Sequence, residues 1–168
     1  RAARDGDVAA IRRLVTAVPP DAVDAFGRNA LMIAIEYGQE PAARELVSLG
    51  VPANTADRNG DTPLLLAVRV GLPSTSALLL QQGAPADAAG PLGVTPLMLA
   101  ARAGNVAIVE QLLAAGASVA RRDAQGLSAG DHAAVAGNAA LAGRLGAAAR
   151  PASAARATQP ARLAGPAS

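Results

Sequence analysis

Four glycines, Gly27, Gly60, Gly93 and Gly126, stand 33 residues apart, and no other property of this 168-residue chain limits its fold so strongly. A second glycine column, Gly38, Gly71, Gly104 and Gly137, keeps the same interval. So do Ala34, Ala67, Ala100 and Ala133, and so do Leu46, Leu79, Leu112 and Leu145. Columns in register at such a period mean that one small unit, unable to bury its apolar side alone, is stacked on copies of itself. A sandwich or barrel has no use for that pattern.

Each column has a local physical reason. Thr62 and Thr95 are placed to cap a helix whose first turn holds Pro63 or Pro96, where a missing N–H costs nothing. That helix runs about two turns and ends at Gly71 or Gly104, since glycine takes the left-handed conformation without a Cβ penalty. Ala67 and Ala100, four residues earlier, let a neighbouring helix approach closely. A second helix carries Val106, Ile108, Val109, Leu112 and Leu113, a stripe at spacings of three and four, and stops at Gly116, as its equivalents stop at Gly83 and Gly50. Asp57-Arg58-Asn59-Gly60 then supplies a tight turn.

With Thr62-Pro63-Leu64 and Thr95-Pro96-Leu97 in register, the 33-residue unit resembles the ankyrin repeat, over residues 2 to about 146. The resemblance implies an all-α solenoid of paired antiparallel helices joined by short β-turn fingers, about five units long. The units are a partial or capping one at 1–22, repeats at 24–56, 57–89 and 90–122, and a capping repeat at 123–148. Residues 149–168, rich in Pro, Ala, Ser and Arg, form a tail without the apolar bulk to fold. Residues 2 to 15 match only the end of a first helix and a second helix, with Val8, Ile11, Leu14 and Val15 as its stripe, and the finger around Pro19-Pro20-Asp21 is one residue short. In the last unit Ser128-Ala129-Gly130-Asp131-His132 puts glycine and polar groups where leucine would turn inward, as a terminal unit permits. The family's histidine after Thr-Pro-Leu, which links fingers, is replaced by Met32, Leu65, Met98 and Asp131, so apolar contact is expected there.

Composition narrows the chemistry. Alanine fills 45 positions and Phe26 and Tyr37 are the only aromatics, so the core is built from many shallow contacts. No cysteine means no disulfide, thiolate metal site or cysteine nucleophile, and no lysine means no Walker lysine or Schiff base. Arginine and alanine enrichment without lysine is a compositional association with GC-rich, bacterial genomes. The pI near 10.3 arises in the tail. Arg150, Arg156 and Arg162 follow residue 146 with no acidic residue, whereas the first 146 residues hold 12 Arg against 13 Asp plus Glu. No apolar run is long enough to span a membrane. The start at Arg1, part-way through a unit and without methionine, is consistent with removal of a signal peptide, and a periplasmic location is expected ahead of a cytoplasmic one.

A search for catalytic or cofactor chemistry returns structural readings. His132 is the single imidazole, which excludes a two-histidine metal site, and is read as a capping-unit residue satisfied by backbone or water. Asp57 and Asp61 could be paired carboxylates or a calcium site, but no oxygen-rich loop accompanies them and turn aspartates bond their own backbone. The glycines form no phosphate-cradling motif. No catalytic residue, metal or cofactor is assigned.

The resemblance implies that fingers and first-helix ends line a concave groove. Its columns place Arg4 and Asp5 there in unit one, and Phe26, Arg28, Glu36 and Tyr37 in unit two. Arg58, Asp61, Arg69 and Val70 follow in unit three, and Leu92, Val94, Arg102 and Ala103 in unit four. Both aromatics fall in one unit, as an exposed hot spot would require, although packing on the short finger and the cap is the competing reading. Glu36, Arg69 and Arg102 share a column, giving the groove a change of sign along its length. The expected function is a monomeric, non-enzymatic module for a protein partner. The alternatives are anion or nucleic-acid binding through the arginines, which lack aromatic interleaving, and a regulatory domain of a longer chain.

Overall fold

In a computed structural model the described residues are 1–14 and 17–148, so Val15 of the first apolar stripe and the tail beyond residue 148 lie outside them. Short polar side chains start the first helix of each full unit. Thr62 Oγ1 accepts from Leu65 N at 3.3 Å and Thr95 Oγ1 from Met98 N at 3.3 Å, each just before a helical proline. Asn29 Oδ1 does the same for Met32 N at 2.9 Å, and Ser128 Oγ for Asp131 N at 3.3 Å. Gly71, at φ 84°, and Gly104, at φ 68°, end the helices in the left-handed region.

Five helix pairs result among the described residues. They are α1 (Ala2–Asp5) with α2 (Val8–Leu14), α3 (Ala30–Glu36) with α4 (Glu40–Ser48), α5 (Pro63–Val70) with α6 (Pro73–Gln81), α7 (Pro96–Ala103) with α8 (Val106–Ala114), and α9 (Ala129–Val135) with α10 (Ala139–Ala148). The first helices stack in the order α1, α3, α5, α7, α9, and α2, α4, α6 and α8 form a second layer behind them. This is the repeat solenoid the period demands, all-α apart from an isolated Val23–Asn29 bridge.

The recurring columns are the contact surfaces. Ala34, Ala67, Ala100 and Ala133 are completely buried where successive first helices meet, and Leu46, Leu79, Leu112 and Leu145 fill the space beneath the second helices. Met32, Leu65 and Met98 are likewise buried, making the apolar contact expected where the family has histidine. Polar links also join neighbouring second helices, with Arg12 Nε 2.7 Å from Glu45 Oε1 and Arg144 paired to Glu110. Exposed pairs of this kind contribute about 0.2–1 kcal/mol each, less than one buried leucine.

The ends differ. The four-residue α1 leaves an open apolar cavity of about 330 Å³, bordered by Ile11, Leu14, Val18, Ile33 and Leu46. In the last unit Gly130 faces the α10 backbone, and a Cβ there would make ordinary van der Waals contact with Gly146 N at 3.4 Å and Ala142 O at 3.5 Å. Asp131 does not turn inward. Its Oδ2 accepts from Ser128 N at 2.9 Å and closes a capping box.

Within the second layer, Leu112 and Ser76 are both fully buried, but among the described residues the Ser76 hydroxyl has no hydrogen-bond partner. Leu112→Ala should lower unfolding free energy by about 2–5 kcal/mol through lost transfer energy and a cavity. Ser76→Ala should be neutral or stabilising by up to ~1 kcal/mol, because it removes an unsatisfied polar group. Urea unfolding of both variants checks the pair, and a large loss from Ser76→Ala would contradict the packing described.

Candidate interaction surface

The fingers are made by one hydrogen-bond pattern. Asp24 N donates to Arg28 O, Asp57 N to Asp61 O, Gly90 N to Val94 O and Asp123 N to Leu127 O, all at 2.9–3.0 Å. In three of the four, the aspartate side chain also ties its own turn. Asp57 Oδ1 accepts from Asn59 N and Asp61 N at 2.8 and 2.9 Å, Asp24 Oδ1 from Phe26 N and Arg28 N, and Asp123 Oδ1 from Gln125 N and Leu127 N.

Unit four departs from this plan. Gly90 replaces the aspartate, and a Cβ there would stand 2.7 Å from Leu65 Cδ1, so the neighbouring unit's leucine occupies the space a side chain would need. The turn is carried instead by a 3-10 segment, Pro91–Gly93. Inside it Leu92 takes φ 58°, the one non-glycine residue with positive φ among those described, and its side chain is 66% exposed. Such a conformation costs roughly 1–2 kcal/mol for an L-residue. Backbone bonds also join fingers, from Arg58 N to Phe26 O at 3.0 Å and from Ala124 N to Leu92 O at 2.8 Å. The corresponding donor between units three and four would be residue 91, and proline has none. The Asp24, Asp57, Gly90, Asp123 column was readable in the sequence, but the displacement by Leu65 was not.

The aromatic side chains are open to solvent, Phe26 at 62% and Tyr37 at 55%. Arg28 lies 5.0 Å from the Phe26 ring centroid and Arg4 5.9 Å from that of Tyr37. Arg28 is held in place by Asp24 Oδ2 at 2.8 Å and Glu36 Oε2 at 2.5 Å. In unit three the polarity of the equivalent pair is reversed. Arg69 Nη1 and Nη2 donate to Asp61 Oδ2 and Oδ1 at 2.8 and 2.7 Å, a two-point guanidinium–carboxylate contact.

Two expectations are corrected by this geometry. Asp61 was placed on an exposed groove, but it is only 7% exposed beneath Arg69 and acts by positioning that guanidinium. His132 was assigned a backbone or water partner, yet its Nε2 stands 2.7 Å from Oδ2 of the buried Asp123. Arg58, Val70 and Arg102 are exposed, as is Ala103, and Val94 is half-buried. Asp5 on α1 is exposed and pairs with Arg4 and Arg1.

Among the described residues no group of three or more His, Cys, Asp or Glu side chains could hold a metal ion, and no helix is long and apolar enough to cross a membrane. Compared with families, residues 1–89 match a model for ankyrin repeats in three copies, and residues 92–124 match a model for a single ankyrin repeat. A comparison with curated proteins finds no match.

Two finger carboxylates, Asp24 and Asp123, make the fold acid-sensitive. Burial pushes Asp123 up, but hydrogen bonds from Leu127 N–H, His132 and Gln125 N–H outweigh it and hold the carboxyl below its ordinary range. Asp24 is lowered in the same way, with burial opposed by the Arg28 side chain and the Arg28 and Phe26 N–H groups. A folded pKa below the unfolded one stabilises fully above the unfolded value, about 3.9, and the contribution disappears as pH falls through the folded value. The thermal midpoint should therefore drop below about pH 4, and Asp123→Asn should make that drop shallower than in wild type. An identical acid profile would contradict the assignment.

Proposed function

The chain belongs to the ankyrin repeat family, whose repeats in general serve protein–protein interaction, and on that premise we propose that it is a non-enzymatic module that meets a protein partner across the fingers and first-helix ends of units two to four. The observation that carries the reading is the display of Phe26 and Tyr37. Two large aromatic side chains, the only ones in the chain, remain more than half exposed in one unit and lie beside arginines. Aromatic and arginine side chains are the types that dominate binding energy at protein interfaces. Arg28 is pre-positioned by two carboxylates, so little side-chain freedom is lost when a partner covers it.

The rest of the proposed contact set runs along the same side, with Arg58 and Val70 flanking the Arg69–Asp61 pair and Leu92, Val94 and Arg102 beyond. Anion or nucleic-acid binding through a row of arginines is favoured less, because Arg28 and Arg69 already face carboxylates of their own chain.

Tyr37→Ala and Phe26→Ala should each weaken partner binding by about 2 kcal/mol or more. Neither should change unfolding free energy by more than about 1 kcal/mol, since both rings are exposed. Affinity capture from the native organism with wild type and both variants, followed by quantitative mass spectrometry, identifies partners whose recovery depends on the rings. Affinity per folded molecule that is unchanged in the variants would overturn the reading.

A further inference from the structure

The charges along the first-helix ends follow a rule that unit four breaks. In units two and three a finger residue pairs with the residue eight positions later at the end of the first helix, Arg28 with Glu36 and Asp61 with Arg69. At the same spacing unit four has Val94 and Arg102, and unit five has Leu127 and Val135. Unit five is apolar at both places, but unit four keeps the cation and loses the anion. Among the described residues Arg102 makes no ion pair or hydrogen bond to a side chain. The Asp61 carboxylate, which lines the same crevice as Arg102, is paired through both oxygens with Arg69 and makes no bond to Arg102. The remaining carboxylates in or beside unit four are engaged elsewhere, Asp123 by His132 and its own turn, Asp87 by Ser118 N and Glu110 by Arg144.

Arg102 borders a crevice of about 130 Å³ between units three, four and five. Its lining joins apolar Leu65, Val94, Met98 and Leu99 to the guanidinium groups of Arg69 and Arg102, with His132 and the Asp61 carboxylate, already paired to Arg69, on its wall. That volume is far below the roughly 300–1,000 Å³ of small-molecule sites and suits one side chain. The crevice opens where Pro91 removes the finger-to-finger bond, so the Asn59 carbonyl receives no backbone N–H among the described residues. The exposed Leu92, held at positive φ, stands at the tip of the same finger. Strain retained beside an unpaired charge marks a place where packing alone did not choose the residues.

We propose that unit four is the specificity-determining end of the interaction surface, and that its crevice takes an acidic side chain, Asp or Glu, from an extended segment of the partner protein. The methylene stem rests on the half-buried Val94 and Leu99, and the carboxylate meets Arg102, completing in trans the pair that units two and three complete within the chain. The Arg102 guanidinium borders the apolar side of the crevice without a counter-charge of its own among the described residues, so an incoming carboxylate gains a charge-assisted contact there. This inference rests on the interaction-module reading and adds the chemistry of what is recognised.

A library of random dodecapeptides displayed on phage, selected on the intact chain, tests it. Asp or Glu should be enriched at one position among wild-type binders. Synthetic peptides of the selected consensus should bind Arg102→Ala roughly tenfold more weakly or worse, and Arg102→Glu should select Lys or Arg at that position. Val94→Asp, which rebuilds the Asp61–Arg69 arrangement in unit four, should abolish the acidic preference while Arg102 stays in place. Circular dichroism and thermal midpoints confirm that each variant is folded. Binders without an acidic preference, or with one that survives both Arg102→Ala and Val94→Asp, would overturn this inference and leave the module reading standing. Failure of the wild type to select any peptide would overturn both.

Discussion

Everything in this molecule depends on how closely one first helix can approach the next. Ala34, Ala67, Ala100 and Ala133 occupy that contact and are completely buried, so no larger side chain fits without moving the units apart. Because the contact involves only adjacent units, stability is a sum of unit and neighbour contributions, and an alanine-rich chain with two aromatics still forms a continuous core. The leucine columns complete it, each side chain contributing about 1.5–3 kcal/mol on burial. The same constraint fixes the spacing of the fingers, since every finger is anchored to the start of a first helix by the capping residue that follows it.

A fixed finger spacing turns small sequence changes into local function. Where the finger has aspartate, its carboxylate satisfies the turn and the finger stays regular. In unit four Gly90 stands where a Cβ would press on the Leu65 methyl of the previous unit, the turn is a 3-10 segment, and Leu92 takes a conformation that L-residues avoid. Proline at 91 then omits one link between fingers that Arg58 and Ala124 make elsewhere. These departures gather at unit four, next to Arg102, a first-helix end whose charge makes no ion pair among the described residues. The other notable surface, around Phe26 and Tyr37, lies in unit two, so the two features bracket the regular unit three.

What the sequence made legible followed from short-range rules repeated at 33 residues. Helix starts at Thr62 and Thr95, ends at Gly71 and Gly104, the buried alanine and leucine columns, and the self-bonded turn at Asp57 all depend on residues within one turn of each other or on the period itself. Relationships that need the finger folded back over its helix were hidden. Asp61 and Arg69 are eight residues apart and read separately as two exposed charges, yet they form one buried-and-covered pair. Asp123 and His132 meet across nine residues for the same reason. The reason for Gly90 lies further away still, in the side chain of Leu65 in the preceding unit. Arg102 could be aligned with Arg69 in sequence, but its lack of a partner emerged only once the pairs in units two and three were visible.

If adjacent-unit packing is what holds the chain together, a whole unit can be removed without loss of the fold, provided the register is kept. Deleting residues 57–89 removes one period of 33 and brings units two and four together through the same alanine and leucine columns. Thermal unfolding followed by circular dichroism should then show a single cooperative transition with unchanged helicity per residue and a lower midpoint. Deleting residues 57–86, which breaks the register by three, should abolish that transition. Loss of cooperative folding in the in-register deletion, or equal behaviour of the two, would contradict the account.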